Sequence, residues 1–197
     1  LISDNFVNSS GVAGIRLNWQ GAAFEPVIGN NITDNILCAD GEGIFLDSAS
    51  YYNLVHGNTI FNNNYGIHLR QSNNNIITRN RVVPNTYCIY SELANSSLIY
   101  DNFLQNGACW DNGWNNSWNT TLQPGLNIVN GPYIAGNCYY CLHPPPEPDP
   151  DLEVYNVNLS IPGGDNKDYM PLARHDIAVT NIVPLKTVVG QGFNVEI

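Results

Sequence analysis

YGIHLRQSNNNIITRNRVVPNTYCIYSE, residues 65–92, repeats itself within its own length: GIHL at 66–69 returns as CIYS at 88–91, 22 residues later. Working outward, the same segment is GIFL at 43–46 and GIRL at 14–17. Ahead of these segments Asn5, Asn30, Asn58, Asn80 and Asn102 each stand two positions before an apolar residue. A second series, Asn53, Asn75 and Ser97, stands five residues before Asn58, Asn80 and Asn102. Apolar residues alternate within each short run, the period of a strand and not of a helix. Ile15 and Leu17, Ile44 and Leu46, and Ile67 and Leu69 are therefore expected to point inward. Three short strands per turn of about 22 residues, with Asn and Gly at the corners, predict an all-β, right-handed parallel β-helix in which each rung hydrogen-bonds to the next. Asn recurs because its amide can both donate to and accept from the Asn one rung away. Gly and Asn also tolerate the positive φ of sharp corners.

The irregular spacing between the first two rungs places an insertion around residues 18–27, carrying Trp19 and Phe24. A second excursion after the last regular rung, 109–118, carries Trp110, Trp114 and Trp118. At 43% hydrophobic the chain can bury one sizeable core. Its domain plan reads as a β-helix over 1–142, a Pro-rich acidic spacer and terminal flap over 143–173, and an incomplete strand segment over 174–197, forming an extended tail or part of a β-sandwich. A formal charge of −10, from 7 basic and 17 acidic residues, repels nucleic acid and anionic membranes. No apolar run reaches the roughly 18 residues of a membrane span. Six N-x-S/T sequons, at Asn8, Asn31, Asn95, Asn115, Asn119 and Asn158, fit a glycosylated exterior protein, and five cysteines fit an oxidising compartment. The chain opens inside the patterned repeat and reads as a mature fragment.

The pattern SNNNIITRN at 72–80, with GIxL, resembles the NosD-like or carbohydrate-binding and sugar-hydrolase β-helix repeats of archaeal surface proteins. WNTTLQPGLNIVNGPYIAGNCYY at 118–140 resembles the closing rung of that family, and IPGGDNKDYMPL at 161–172 its terminal flap. Here Cys138 replaces the aromatic residue that usually follows Gly-Asn. HDIAVTNIVPLKTVVGQGFNVEI at 175–197 resembles the first strands of a CARDB-like immunoglobulin-type domain.

Two outward columns are expected beside the GI corners: Arg16, Phe45, His68 and Tyr90, and Asn18, Asp47, Arg70 and Glu92. At about 4.8 Å per rung, Asp47 and Glu92 stand roughly 10 Å apart, near the 6.5 to 9.5 Å or so of an inverting glycosidase pair. Arg70 between them would lower both pKa values, whereas a general acid needs its pKa raised, so a solvated salt-bridge ladder is the better reading. Phe45, His68 and Tyr90 form an aromatic strip on which sugar could stack; such strips also simply stabilise sheets. Asp47, Arg70 and Glu92 are the polar groups beside that candidate glycan face.

His56, His68, His143 and His175 are scattered and Met170 is the sole methionine, so the family's copper label finds no clustered ligands; neither metal nor cofactor is expected. Cys138 and Cys141 suit a structural disulfide, within the chain or between subunits. Cys88 and Cys109, about one rung apart, are the other candidate pair, or buried thiols.

The leading expectation is a non-catalytic structural protein of the cell surface: a homo-oligomeric or polymeric subunit of an envelope, sheath or extracellular filament, joined through strand edges and disulfides. The strand FNVEI at 193–197 is one candidate edge. A glycan-binding module with a polysaccharide partner, or a polysaccharide lyase or hydrolase fragment, are the alternatives.

Overall fold

The computed structural model describes residues 1–19, 25–139, 154–155 and 157–173. The Phe24 part of the insertion, Cys141, the Pro-rich spacer with His143, and the tail from 174 with His175 and 193–197 lie outside the described residues.

No described residue is helical, and the strands stack in parallel into a β-solenoid of about four turns with about 23 residues between equivalent positions. Three sheets run the length of the stack. The first holds Ile2–Ser3, Asn31–Thr33, Leu54–His56, Ile76–Thr78 and Leu98–Tyr100. The second holds Phe6–Asn8, Ile36–Cys38, Thr59–Phe61, Arg81–Val82, Phe103–Leu104 and Cys138–Tyr139. The third holds Ala13–Leu17, Glu42–Leu46, Tyr65–Arg70, Tyr87–Glu92 and Ala108–Asp111. Ile15, Ile44, Ile67 and Ile89 are in register, as are Leu17, Leu46 and Leu69, and all these side chains are buried in one continuous core. Each fully buried Ile or Leu is worth roughly 1.5–3 kcal/mol, which makes this inward file the main support of the stack.

Each corner carries its own side-chain ladder. Between the first and second sheets it runs Asn5, Asn35, Asn58, Asn80, Asn102, Asn137. The Nδ2 and backbone N–H of Asn58 both donate to Asn80 Oδ1, at 2.9 and 3.0 Å, and those of Asn80 to Asn102 Oδ1, each at 3.0 Å. Asn58 Nδ2 also reaches the Ile32 carbonyl on the preceding turn, so one amide ties three turns together. Asn30 does not belong here, contrary to expectation. It heads the second ladder, Asn30, Asn53, Asn75, Ser97, Asn116, at the corner leading into the first sheet. Asn35 stands five residues after Asn30, the same offset that separates Asn53 from Asn58. The third corner uses Asp40, Asn63 and Asn85, with Ser10 donating to Asp40.

The left-handed residue at these corners is the one before the ladder position: Asp4, Asp34, Gly57, Arg79 and Asp101 in the first ladder, with φ between 53° and 68°. The hydrogen bonds of the ladder hold non-glycine residues in a region that costs about 1 kcal/mol or more. The glycines of the GI motif serve close packing instead. A Cβ on Gly43 would stand 2.5 Å from Ile60 Cγ2 and 2.6 Å from the Gly66 carbonyl oxygen. Cys88 takes the equivalent position in the fourth turn, where Gly107 leaves space: a Cβ on Gly107 would lie 2.8 Å from Cys88 Sγ.

Beyond Gly107 the pattern changes. Trp110 is not part of a loop excursion but lies on the fifth strand of the third sheet, and Trp118 is a buried plug in the core. The flap then closes the end. Asp111 N–H donates to the Pro162 carbonyl, Ile161 enters the main core, and Val154 and Leu172 join Phe103, Ala135 and Cys138 in a second cluster.

Candidate functional site

The outward side of the third sheet gathers a cluster of aromatic rings, Phe45, Tyr65, Tyr87, Tyr90 and Trp110 with His68, and several charges. Its register matches the expected column, Arg16, Phe45, His68 and Tyr90, and extends it to Trp110. A neighbouring column, Glu42, Tyr65 and Tyr87, went unrecognised, although each of its members directly precedes a GI or CI pair. Extended strands bring the columns together because alternate side chains leave one face and successive turns repeat about every 4.8 Å.

The strip is not the open platform the sequence suggested. Phe45 and His68 are buried: their rings stack 4.6 Å apart, and Tyr65 stacks 5.0 Å from His68. The guanidiniums of Arg16 and Arg70 lie over Phe45, 4.9 and 5.0 Å from its centroid. Both also bind Asp47, Arg16 Nη2 at 2.5 Å and Arg70 Nε at 2.9 Å. What stays half-exposed is the aromatic run Tyr65, Tyr87, Tyr90 and Trp110, with Tyr65 and Tyr87 stacked at 5.4 Å and Tyr90 and Trp110 at 4.6 Å.

The charged column also departs from a simple solvated ladder. Asp47 is buried, and burial pushes its carboxyl up. The Ser48 backbone N–H, Arg16 and Arg70 outweigh that and hold it below the usual carboxylate value. It is an acceptor fixed in its ionised form, unsuited to donating a proton. Arg70 bonds to Asp47 on one side, while Glu92 Oε2 lies 3.8 Å from His68 Nε2. His68 Nδ1 meets Glu42 Oε1 at 2.8 Å, and the buried Nε2 has no hydrogen-bond partner. At the upstream end of the face Gly11, Val12, Arg16, Gly41, Glu42, Phe45, Asn64, Tyr65 and Arg70 line an open groove of about 390 Å³.

The other candidates lie elsewhere. A register shift after Tyr87 sets Cys109 opposite Ile89 instead of Cys88, and no Cys88–Cys109 disulfide forms. The Cys88 thiol sits among the carbonyls of Val82, Gln105 and Gly107 at 3.5 to 3.7 Å, and burial pushes the Cys109 thiol well up. Cys138 is buried in the second cluster. Of the sequon residues, Asn8, Asn31, Asn115 and Asn158 are exposed, and Asn95 and Asn119 are half-buried.

Comparison with known proteins adds one finding. A search of curated proteins and a search of solved structures each found no match. A family model described as "Periplasmic copper-binding protein (NosD)" matches residues 1–142. The copper of that description does not fit the described residues: no three His, Cys, Asp or Glu side chains among them converge on a point, and Nδ1 of His68 is taken by Glu42. The match nonetheless spans the whole stack of turns and the start of its closing segment, well over half of the 197 residues, and the chain belongs to the NosD family.

Proposed function

We propose that this chain is a non-catalytic, extracytoplasmic scaffold that holds a polysaccharide along the outward face of its third sheet. A NosD-family β-helix fits a protein of the cell envelope or surface, consistent with the periplasmic description of the family. The observation that carries the reading is the half-exposed run Tyr65, Tyr87, Tyr90 and Trp110, four rings on three successive turns of a rigid stack. A pyranose chain presents an apolar ring face at each residue and advances by a step similar to the rung spacing, so successive sugars can meet successive turns. The absence of catalysis rests on Asp47, ionised between two arginines, and on Glu42 and Glu92, which both turn toward His68.

Native gels cast with neutral or acidic polysaccharides test this. The protein is expected to be retarded by at least one of them, and Tyr87→Ala or Trp110→Ala to abolish the retardation while Trp114→Ala, at an 81% exposed site off the face, leaves it intact. No retardation by any polysaccharide, or retardation indifferent to Tyr87 and Trp110, overturns the reading.

Assembly into an envelope, sheath or filament ranks behind it. The downstream end of the stack is covered by Trp118 and the flap, which leaves that end little strand edge to offer, and Cys141 and residues 193–197 lie outside the described residues.

A further inference from the structure

We infer that the groove at the upstream end of this face selects an acidic sugar, a uronate unit of the polysaccharide, through Arg16 and Arg70; the inference rests on the glycan reading above and names its substrate class. The chain has seven basic residues against 17 acidic, yet two of the seven converge on one carboxylate, Asp47, leaving the trio with one net positive charge. The guanidiniums are the accessible part of it: the side chains of Arg16 and Arg70 are 37% and 43% exposed, whereas Asp47 is buried beneath them. Glu42, the other charged lining residue, turns its Oε1 inward to His68 Nδ1, and its side chain is only 16% exposed. A ligand entering the groove therefore meets cations first, in a protein whose overall field repels anions.

Geometry supports the same assignment. Each guanidinium has five N–H donors and spends one or two on Asp47. The contact with Asp47 and the flat seat on Phe45 fix both forks in place, so a ligand carboxylate pays little to organise them. The groove, about 390 Å³, falls in the range of small-ligand clefts, and Tyr65 on its wall stacks on Tyr87. A chain held on Tyr87, Tyr90 and Trp110 would thus run into the groove with a carboxylate-bearing sugar at Arg16 and Arg70, and Asn64 beside its hydroxyls.

Calorimetry on the full chain with oligogalacturonate and with the same oligomer methyl-esterified isolates the carboxylate, because the sugar backbone is unchanged. The acid form is expected to bind at least tenfold more tightly, the difference shrinking in high salt. Arg16→Gln, which leaves Asp47 balanced by Arg70 alone, is expected to bring the two forms within about twofold, whereas Tyr87→Ala weakens both. Equal binding of both forms by the unaltered protein, with binding still lost in Tyr87→Ala, overturns the acidic preference and leaves the glycan reading standing. Binding of neither form, together with no retardation in any polysaccharide gel, removes both. An acid preference unchanged in a folded Arg16→Gln protein also overturns the inference. The comparison of the two oligomers on the unaltered protein remains decisive if the variant does not fold.

Discussion

In the stacked turns the first ladder pairs asparagine with asparagine from one turn to the next: Asn58 gives to Asn80 what Asn80 gives to Asn102. In the closing segment Asp111 and Asn137 are each settled individually. Asp111 accepts from Asn116, from Trp118 Nε1 at 2.7 Å and from the Gly113 N–H. Asn137 ends the first ladder by donating its backbone N–H to Asp168 at 2.7 Å, and its side-chain amide reaches carbonyls of Ile99 and Trp118. A repeated solution makes the stack extensible and stiff, since each turn presents the next with the environment it was itself given. A singular solution ends it, because Asp168 accepts from the Asn137 backbone N–H but has no amide with which to repeat the pair on a further turn.

The core of the stacked turns is the most sensitive place in the molecule. Ile67→Asp puts a charge without a partner among fully buried Ile44, Ile89 and Leu69, and is expected to abolish the cooperative melt seen by circular dichroism. A folded protein with unchanged melting would refute the inward file. Less drastic is Asn80→Ala, which orphans the Asn58 backbone N–H and leaves Asn58 Nδ2 only its carbonyl partners on Ile32 and His56. At about 1–3 kcal/mol for a buried donor left without a partner, the loss in urea unfolding should be roughly 1–3 kcal/mol. A loss under 1 kcal/mol would mean that the ladder decorates the corners without supporting them.

The closing segment should differ in its response to pH. Burial pushes the Asp168 carboxyl up to about 7, against the hydrogen bonds of the Asn137 and Met170 backbone N–H groups. The unfolded chain releases this proton near the ordinary value of about 4. Between the two values the folded protein holds a proton that the unfolded one has lost. Stability from this group is therefore fully present below pH 4 or so and is lost as pH rises through about 7. Asp101, also raised by burial, acts in the same direction. Asp168→Asn should consequently flatten the fall in melting temperature between pH 5 and pH 8; an equal fall in both proteins would contradict the assignment. The ladder asparagines do not titrate, and variants such as Asn80→Ala should shift the curve without changing its slope.

The same contrast explains what could be read from the sequence. The Ile and Leu file, the column Arg16, Phe45, His68 and Tyr90, and the series Asn53, Asn75 and Ser97 were legible because one environment recurs at one interval. Asn30 was misplaced because both Asn30 and Asn35 stand two positions before an apolar residue, and the five-residue offset between them had to break the tie. The third ladder went unseen because Ser10, Asp40, Asn63 and Asn85 share a role without sharing a residue type. The covering of Phe45 was not legible either: it depends on how far two arginine stems reach across turns, and long side chains lay their apolar length over a ring wherever one anchor, here Asp47, holds the charged end. Trp110 was hidden by the register shift after Tyr87, which breaks the interval just before the strand that carries it.

Hydroxyl-radical footprinting with and without polysaccharide tests most directly the claim that the third sheet's outward face is the working surface and the ladders its support. Tyr87, Tyr90 and Trp110 should lose reactivity when an oligosaccharide binds, while Tyr52 and Trp114, exposed and off that face, should react as before. Protection of Tyr52 and Trp114 with Tyr87 and Trp110 unchanged would contradict the account.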